Sequence, residues 1–402
     1  MTNNREYDVV LYGATGYTGR LVAAELIKRA RGARIALAGR NLAKLHQLRD
    51  VLGQPALPVL AGDSNDASFL TNLARKTSVV CTTVGPYAQY GESLVAACAQ
   101  TGTDYCDVTG EVPWVRRMID GYGEVAQRSG ARLVHCCGFD SIPSDLGVWF
   151  LQTQAKLRFG KPCERVRGAI IQVDGDPSGG TLASIDLLLQ EARKDPAVAE
   201  MLVEPYNLNP LPDRSGPDGP DPALPFRDPD YGWTAPSIMA TANTRVVRRS
   251  NAVLGYPYGR DFRYAEFFAA GDGIKGLALA SGITLGLIAM VSCLALPPLA
   301  AITRRFMPKP GAGMNTERLA KGSFTMELVG TLGNAQLKVR VSTDRDPLYA
   351  ATSIMLAESA LCLAQDNGRL AAAGGSWTPA AALGTPLVER LNQAGVRFVV
   401  LD

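Results

Sequence analysis

The feature that most restricts this chain is Val9-Val10-Leu11-Tyr12 running into Gly13-Ala14-Thr15-Gly16-Tyr17-Thr18-Gly19. A short apolar run that stops at glycine suits a strand buried on both faces. From Arg20 to Ala30 the apolar residues Leu21, Val22, Leu26 and Ile27 fall at helical spacing. Strand, glycine turn and helix in that order are the context a dinucleotide fingerprint requires, here spaced GxxGxxG rather than GxGxxG. Gly13 allows the tight turn, Gly16 lets the backbone approach a pyrophosphate, and Gly19 lets helix and strand pack closely. The amides at the helix start then face the phosphates. A glycine loop that serves only its own turn is the bland alternative, and the rest of the segment argues against it.

Ala33 to Ala38 reads as a second strand ending in Gly39-Arg40-Asn41. An NAD site usually places a carboxylate here, about 20 residues past the glycines, to hold the ribose 2′-hydroxyl. No Asp or Glu lies between Arg34 and Asn41. Arg40 stands there instead, and a guanidinium fits a 2′-phosphate bidentately. The expected cofactor is therefore NADP(H), with a solvated surface arginine as the competing use of Arg40.

The alternation continues. Strands are expected at Leu57–Ala61, Ser78–Val84, Asp104–Val108 and Arg132–Cys137, and helices at Asp66–Arg75, Glu92–Gln100 and Val115–Ser129. Such βα units predict an α/β fold, a doubly wound parallel Rossmann sheet with ligands at the carboxyl ends of its strands. Asp63 could then bond the adenine amino group, and Gly85 and Pro86 would lie against the nicotinamide half. Tyr87 is the first candidate proton donor, against a packing role for its ring. Asp107 and Asp140 are further strand-end candidates, beside Glu111 and Ser141. Turn and capping work competes for Asp107 and Glu111, and Asp140 could cap a helix or hold the nicotinamide ribose. His135, inside the run Leu133 to Cys137, reads as a core histidine, and Cys106 as a buried strand thiol.

Composition narrows the classes. Forty-one basic against 38 acidic residues leave +3, too little and too dispersed for a nucleic-acid footprint. Eight cysteines without a CxxC pair and two histidines give no metal-site pattern and fit a reducing compartment. The first residues show no apolar signal stretch, so a cytoplasmic protein is expected. No tyrosine has a lysine four residues on, which disfavours alcohol oxidation by a Tyr-x-x-x-Lys dyad.

Several segments resemble one family. They are the glycine string at 13–19, Val84-Gly85-Pro86-Tyr87, Tyr105-Cys106-Asp107-Val108-Thr109-Gly110-Glu111 and Gly138-Phe139-Asp140-Ser141-Ile142-Pro143-Ser144-Asp145-Leu146-Gly147. With Ser178 to Thr181, Asp346 to Leu363 and Trp377 to Ala380, they are similar to the saccharopine dehydrogenase-like oxidoreductases, nearest the trans-acting enoyl reductase branch. The resemblance implies NADPH-dependent reduction of a carbon–carbon double bond in a lipid or polyketide acyl intermediate presented by a polyketide synthase, and a homodimer. It also implies a Rossmann domain over 1–140, an inserted α/β substrate domain over 141–345, and a segment 346–402 returning to the first domain. A saccharopine-type imine dehydrogenase is the competing enzyme. It would need convergent arginines, for which Arg245, Arg248, Arg249, Arg260, Arg263 and Arg345 are available. A non-catalytic dinucleotide-binding membrane scaffold is the third reading.

In the second domain Arg165–Val173, Phe324–Gly330 and Ala335–Ser342 read as strands, Gly179–Arg193 and Ala350–Ala364 as helices, and Glu204–Pro236 as one long surface loop. Gly276 to Leu296 contains no charged residue and is long enough to span a bilayer. Within 276–302 three arrangements compete: a single crossing, an embedded helix or hairpin dipping into one leaflet with Arg304, Arg305 and Lys309 at the headgroups, and a buried core or interface helix. The leaflet reading makes the protein peripheral on the cytoplasmic membrane face.

Overall fold

The computed structural model describes residues 5–175, 179–306, 319 and 321–401; Ser178 and Lys309 lie outside them. The chain divides into two compact units, each built on a seven-stranded sheet.

The first unit comprises Met1–Ile142, Gly311–Leu319 and Leu348–Gly395. Its strands are β1 (Tyr7–Tyr12), β2 (Ile35–Gly39), β3 (Val59–Ala61), β4 (Thr77–Thr82), β5 (Asp104–Cys106), β6 (Arg132–Val134) and, late in the chain, β13 (Gly375–Trp377). All pair in parallel in the order β13-β6-β5-β4-β1-β2-β3. Apart from β13, this is the strand order of a doubly wound dinucleotide fold, with its switch point between β1 and β4. Local chemistry starts the connecting helices. Asn41 Oδ1 accepts Lys44 N–H at 3.0 Å and Asp66 Oδ1 accepts Phe69 N–H at 2.9 Å, each capping the helix that follows. The Thr352–Gln365 helix is buried on every side and packs on the Tyr17–Arg29 helix and on β1, β4 and β5. It is a core helix: 83% of the apolar stretch within Pro347–Gln365 is buried. Its Glu358 is held by Arg390 at 3.1 Å and Arg29 at 3.3 Å.

The second unit comprises Pro143–Pro310, Ala320–Pro347 and Val396–Asp402. Its strands are β7 (Arg165–Asp174), β8 (Phe226–Asp228), β9 (Gly232–Pro236), β10 (Arg263–Gly271), β11 (Ser323–Leu332), β12 (Ala335–Thr343) and β14 (Arg397–Leu401), in the order β14-β12-β11-β7-β10-β9-β8. β7 and β10 are parallel and the other neighbours antiparallel.

Two expectations change here. Segment 204–236 is not one surface loop: it ends in the β8–β9 hairpin, and Tyr206, Asn207, Leu208 and Asn209 are buried. The strands are too short to register locally and exist because β9 pairs with β10. Segment 346–402 does not return whole to the first unit. After Gly395, at φ +94°, the chain turns, β14 pairs with β12, and Phe398 stacks edge-on against Phe150 at 6.1 Å.

Candidate cofactor site

The glycine loop joins β1 to the Tyr17–Arg29 helix at the switch point. Gly13 adopts φ +88°, and a Cβ there would stand 2.7 Å from Val84 Cγ2. Its carbonyl accepts Thr83 Oγ1 at 3.2 Å, which fixes the loop against the end of β4. At Gly19 a Cβ would meet the Gly13 carbonyl oxygen at 2.1 Å, so only glycine allows the helix to sit this close. Gly16 differs. It is exposed, and a Cβ there would meet only the Gly13 oxygen, at 3.4 Å. The protein's own packing does not demand glycine at 16; close approach of a ligand does. The helix start has no side-chain cap and no acidic residue in its first turn, which suits a pyrophosphate. The cradle therefore fits a dinucleotide.

Around it the sequence-selected residues Ala14, Thr15, Tyr17 and Thr18 complete the loop. Thr15 leans toward Gly39, the last residue of β2. Arg40 follows, exposed and without an ion pair among the described residues, close enough for its charge to act on Tyr12. Asp63 is exposed, and its Oδ1 closes a turn by accepting Asn65 N–H at 2.9 Å. Gly85 is exposed and Pro86 half-buried beyond β4. Sequence reasoning missed two contributors. Thr83 anchors the glycine loop although its strand was legible. Tyr349 packs edge-on against Tyr17 at 4.8 Å, a contact across more than three hundred residues of chain that no local signal announces.

The acid–base candidates fare differently. Tyr87 is buried; its hydroxyl donates to Thr82 O at 3.2 Å and accepts Val108 N–H at 3.3 Å. Its ring lies 5.3 Å from that of Trp114, and burial pushes the phenol well above its ordinary value. This tyrosine joins the ends of β4 and β5; it does not present a proton. Asp107 is fully buried. Oδ2 meets His135 Nδ1 at 2.7 Å, and Oδ1 accepts the amides of Cys136 at 3.0 Å and Thr109 at 3.1 Å. Glu111 accepts the amides of Tyr87 at 3.0 Å and Ala88 at 2.8 Å, capping the Tyr87–Tyr90 turn. Asp140 is half-buried in the turn after β6, and it alone of the three expected acid–base groups keeps solvent exposure. No group of His, Cys, Asp and Glu among the described residues could hold a metal.

In the second unit the arginines of the Ala240–Val253 helix are engaged. Arg245 pairs with Asp221, Arg248 with Asp218 at 2.8 Å, and Arg249 donates to Leu208 O, so all three pin the 202–221 segment. Arg260 is paired with Asp213 at 3.0 Å. An open groove of about 640 Å3 has Leu224, Phe226, Ala265 and Phe267 in its lining. Arg165 and Arg263, register partners on β7 and β10, also line it and carry no ion pair among the described residues.

Residues 9–134 match the family described as the saccharopine dehydrogenase NADP binding domain, so the first unit holds an NADP-binding domain. A trans-acting enoyl reductase of Mycobacterium bovis is 39% identical over 98% of this chain and 97% of its own length. A Mycobacterium tuberculosis protein provisionally given the same name is 41% identical with the same coverage. Among solved structures, apo saccharopine dehydrogenase (L-Glu forming) from Saccharomyces cerevisiae is similar in fold. It has a TM-score of 0.52 at 12% identity, over 98% of this chain and 100% of that one.

Proposed function

The chain belongs to the trans-acting enoyl reductase family, an NADP-binding branch of the saccharopine dehydrogenase-like oxidoreductases, and from that premise we propose that it reduces a carbon–carbon double bond in an acyl intermediate carried by a partner synthase. The observation that carries this reading is likeness along the whole chain, 98% of it, to proteins named for that reaction.

NADPH, when bound, supplies the hydride. The loop 13–19 holds its pyrophosphate on backbone amides, and Arg40 receives the 2′-phosphate. Hydride adds to the β-carbon, the double-bond electron pair moves to the thioester enolate, and a proton at the α-carbon completes the saturated product. Tyr87 and Asp107 serve as scaffold. Proton handling falls to Asp140, which would relay a proton from solvent to the α-carbon.

The arginines of the second unit favour this reading over imine reduction. A substrate with several carboxylates needs a set of convergent free guanidinium groups; Arg245, Arg248, Arg249 and Arg260 are already neutralised or hydrogen-bonded, which leaves Arg263 beside Arg165. The groove beside Arg165 and Arg263 suits an apolar chain with one anionic end instead.

The test is NADPH consumption with long-chain enoyl thioesters against 2-oxo acid plus amino acid. Saturated thioester as product supports the reading. Consumption only with the polar pair assigns an imine dehydrogenase, and consumption with neither leaves a dinucleotide-binding scaffold.

A further inference from the structure

The Gly273–Ala295 helix has a mean hydropathy of 2.2, yet only 17% of that apolar window is buried. The contrast with the apolar Thr352–Gln365 helix, which disappears into its unit, shows that composition alone does not explain this exposure. Gly276, Ala280 and Thr284, one turn apart, form the packed stripe against β9 and β10. Contact is close because Gly276 has no side chain: a Cβ there would stand 2.0 Å from Gly271 O. Leu294 is buried further along and Ile283, Leu287 and Met290 are half-buried, while the opposite face is exposed. Ile274 is 87% and Leu285 65% exposed, and Leu279 and Ile288 are exposed with them. The Pro297–Phe306 helix continues the surface with Leu299 and Ile302. At about 100° per residue, these positions together with the exposed Leu277 and Val291 sweep about two-thirds of the first helix's circumference.

The charge along this face is mostly cationic; the acids at its ends, Asp272 before the first helix and Asp186, are paired with Arg227 at 3.5 Å and Arg304 at 2.9 Å. From Gly273 to Arg305 there is no Asp or Glu. Lys275 at the start and Arg305 at the end are exposed and carry no ion pair among the described residues. Arg193 Nη1 donates to Ala295 O at 2.7 Å, which places a third cation at the far end of the first helix; Arg304 is paired with Asp186 at 2.9 Å.

A single crossing is ruled out by topology. β10 precedes the segment and β11 follows it, and both pair with β7 in one sheet. A crossing helix would put these two strands on opposite sides of a bilayer.

We propose that the two helices seat the protein on an anionic lipid surface, lying in its plane with Leu279, Leu285, Ile288 and Ile302 immersed. Lys275, Arg193 and Arg305 lie at headgroup level. A partner helix covers an apolar stripe of roughly 100°. The wider exposed arc here matches a fluid apolar phase, and the cations Lys275 and Arg305, unpaired among the described residues, match anionic headgroups. Seating does not depend on which reaction the protein performs.

The test is flotation of the full-length protein with vesicles of phosphatidylglycerol and phosphatidylcholine. The parent is compared with a triple variant, Leu279→Gln, Leu285→Gln and Ile288→Gln, and with Lys275→Glu/Arg305→Glu, after thermal unfolding confirms that both variants keep the parent's Tm. The triple variant is expected to lose binding to every vesicle by about tenfold or more. The charge variant is expected to lose binding to anionic vesicles only. If the parent does not float, or the triple variant floats as well as the parent, the proposal is overturned. It is equally overturned if the parent is a dimer by light scattering that the triple variant splits, which would make this face a contact between two copies.

Discussion

Nδ1 of His135 lies 2.7 Å from Oδ2 of Asp107, a buried pair that ties the end of β6 to the end of β5. The same carboxylate holds the amides of Cys136 and Thr109, so it organises the strand ends instead of serving as a free acid. Asp107→Ala leaves one imidazole nitrogen and two buried amides without their acceptor. A stability loss of about 3 kcal/mol is expected in urea unfolding. A variant that keeps its midpoint yet loses turnover a hundredfold would return Asp107 to the chemistry.

Tyr87→Phe removes two hydrogen bonds to backbone groups and leaves the ring against Trp114 in place. The expected cost is about 1–3 kcal/mol of stability. Turnover of the folded enzyme should stay within about threefold, because no proton is lost from the reaction. Steady-state kinetics beside a denaturation curve checks both halves.

Gly16 and Gly19 should separate by function. Gly19→Ala drives a methyl to 2.1 Å from the Gly13 oxygen and is expected to damage both fold and cofactor binding. Gly16→Ala has room inside the protein, at 3.4 Å, so its Tm is expected to hold while NADPH affinity falls. Calorimetric titration together with thermal unfolding distinguishes the two.

Arg40→Ala is expected to weaken NADPH by roughly 10–100-fold, the worth of a charge-assisted phosphate contact, and to leave NADH nearly unchanged. Parallel titrations with the two dinucleotides measure it. Equal losses for both would mean that Arg40 does not sense the 2′-phosphate.

Glu266 in the second unit is buried and accepts from Ser144 at 2.6 Å, Asn243 at 3.0 Å and Tyr264 at 3.1 Å. Burial nonetheless holds its carboxyl above the ordinary range, the donors pulling it only part of the way back. The folded state thus retains this proton to higher pH than the unfolded chain, whose value is about 4.3. The fold is favoured on the acid side, and this contribution fades as pH rises from there through the raised folded value. Glu266→Gln should flatten that slope in urea midpoints measured across the window.

Legibility in the sequence followed the range of the interactions. The glycine loop and the apolar strands are set by neighbours in the chain, and the parallel sheet follows from the alternation of strands and helices. That Arg40 directly follows the second strand was readable from the apolar run that ends at Gly39. The Ala240–Val253 helix was not readable. It is buried although it carries Arg245, Arg248 and Arg249, because Asp218 and Asp221 reach it from a distant segment. Tyr87 misled for a related reason: its place at a strand end is visible in sequence, but the partners that occupy its hydroxyl are not.

The central claim is hydride delivery from NADPH to an acyl double bond. The direct measurement is mass analysis of a long-chain enoyl thioester incubated with the protein and NADPH deuterated at the transferable position. One deuterium at the β-carbon of the saturated product is predicted. Unchanged thioester, with NADPH bound but not consumed, would contradict the account.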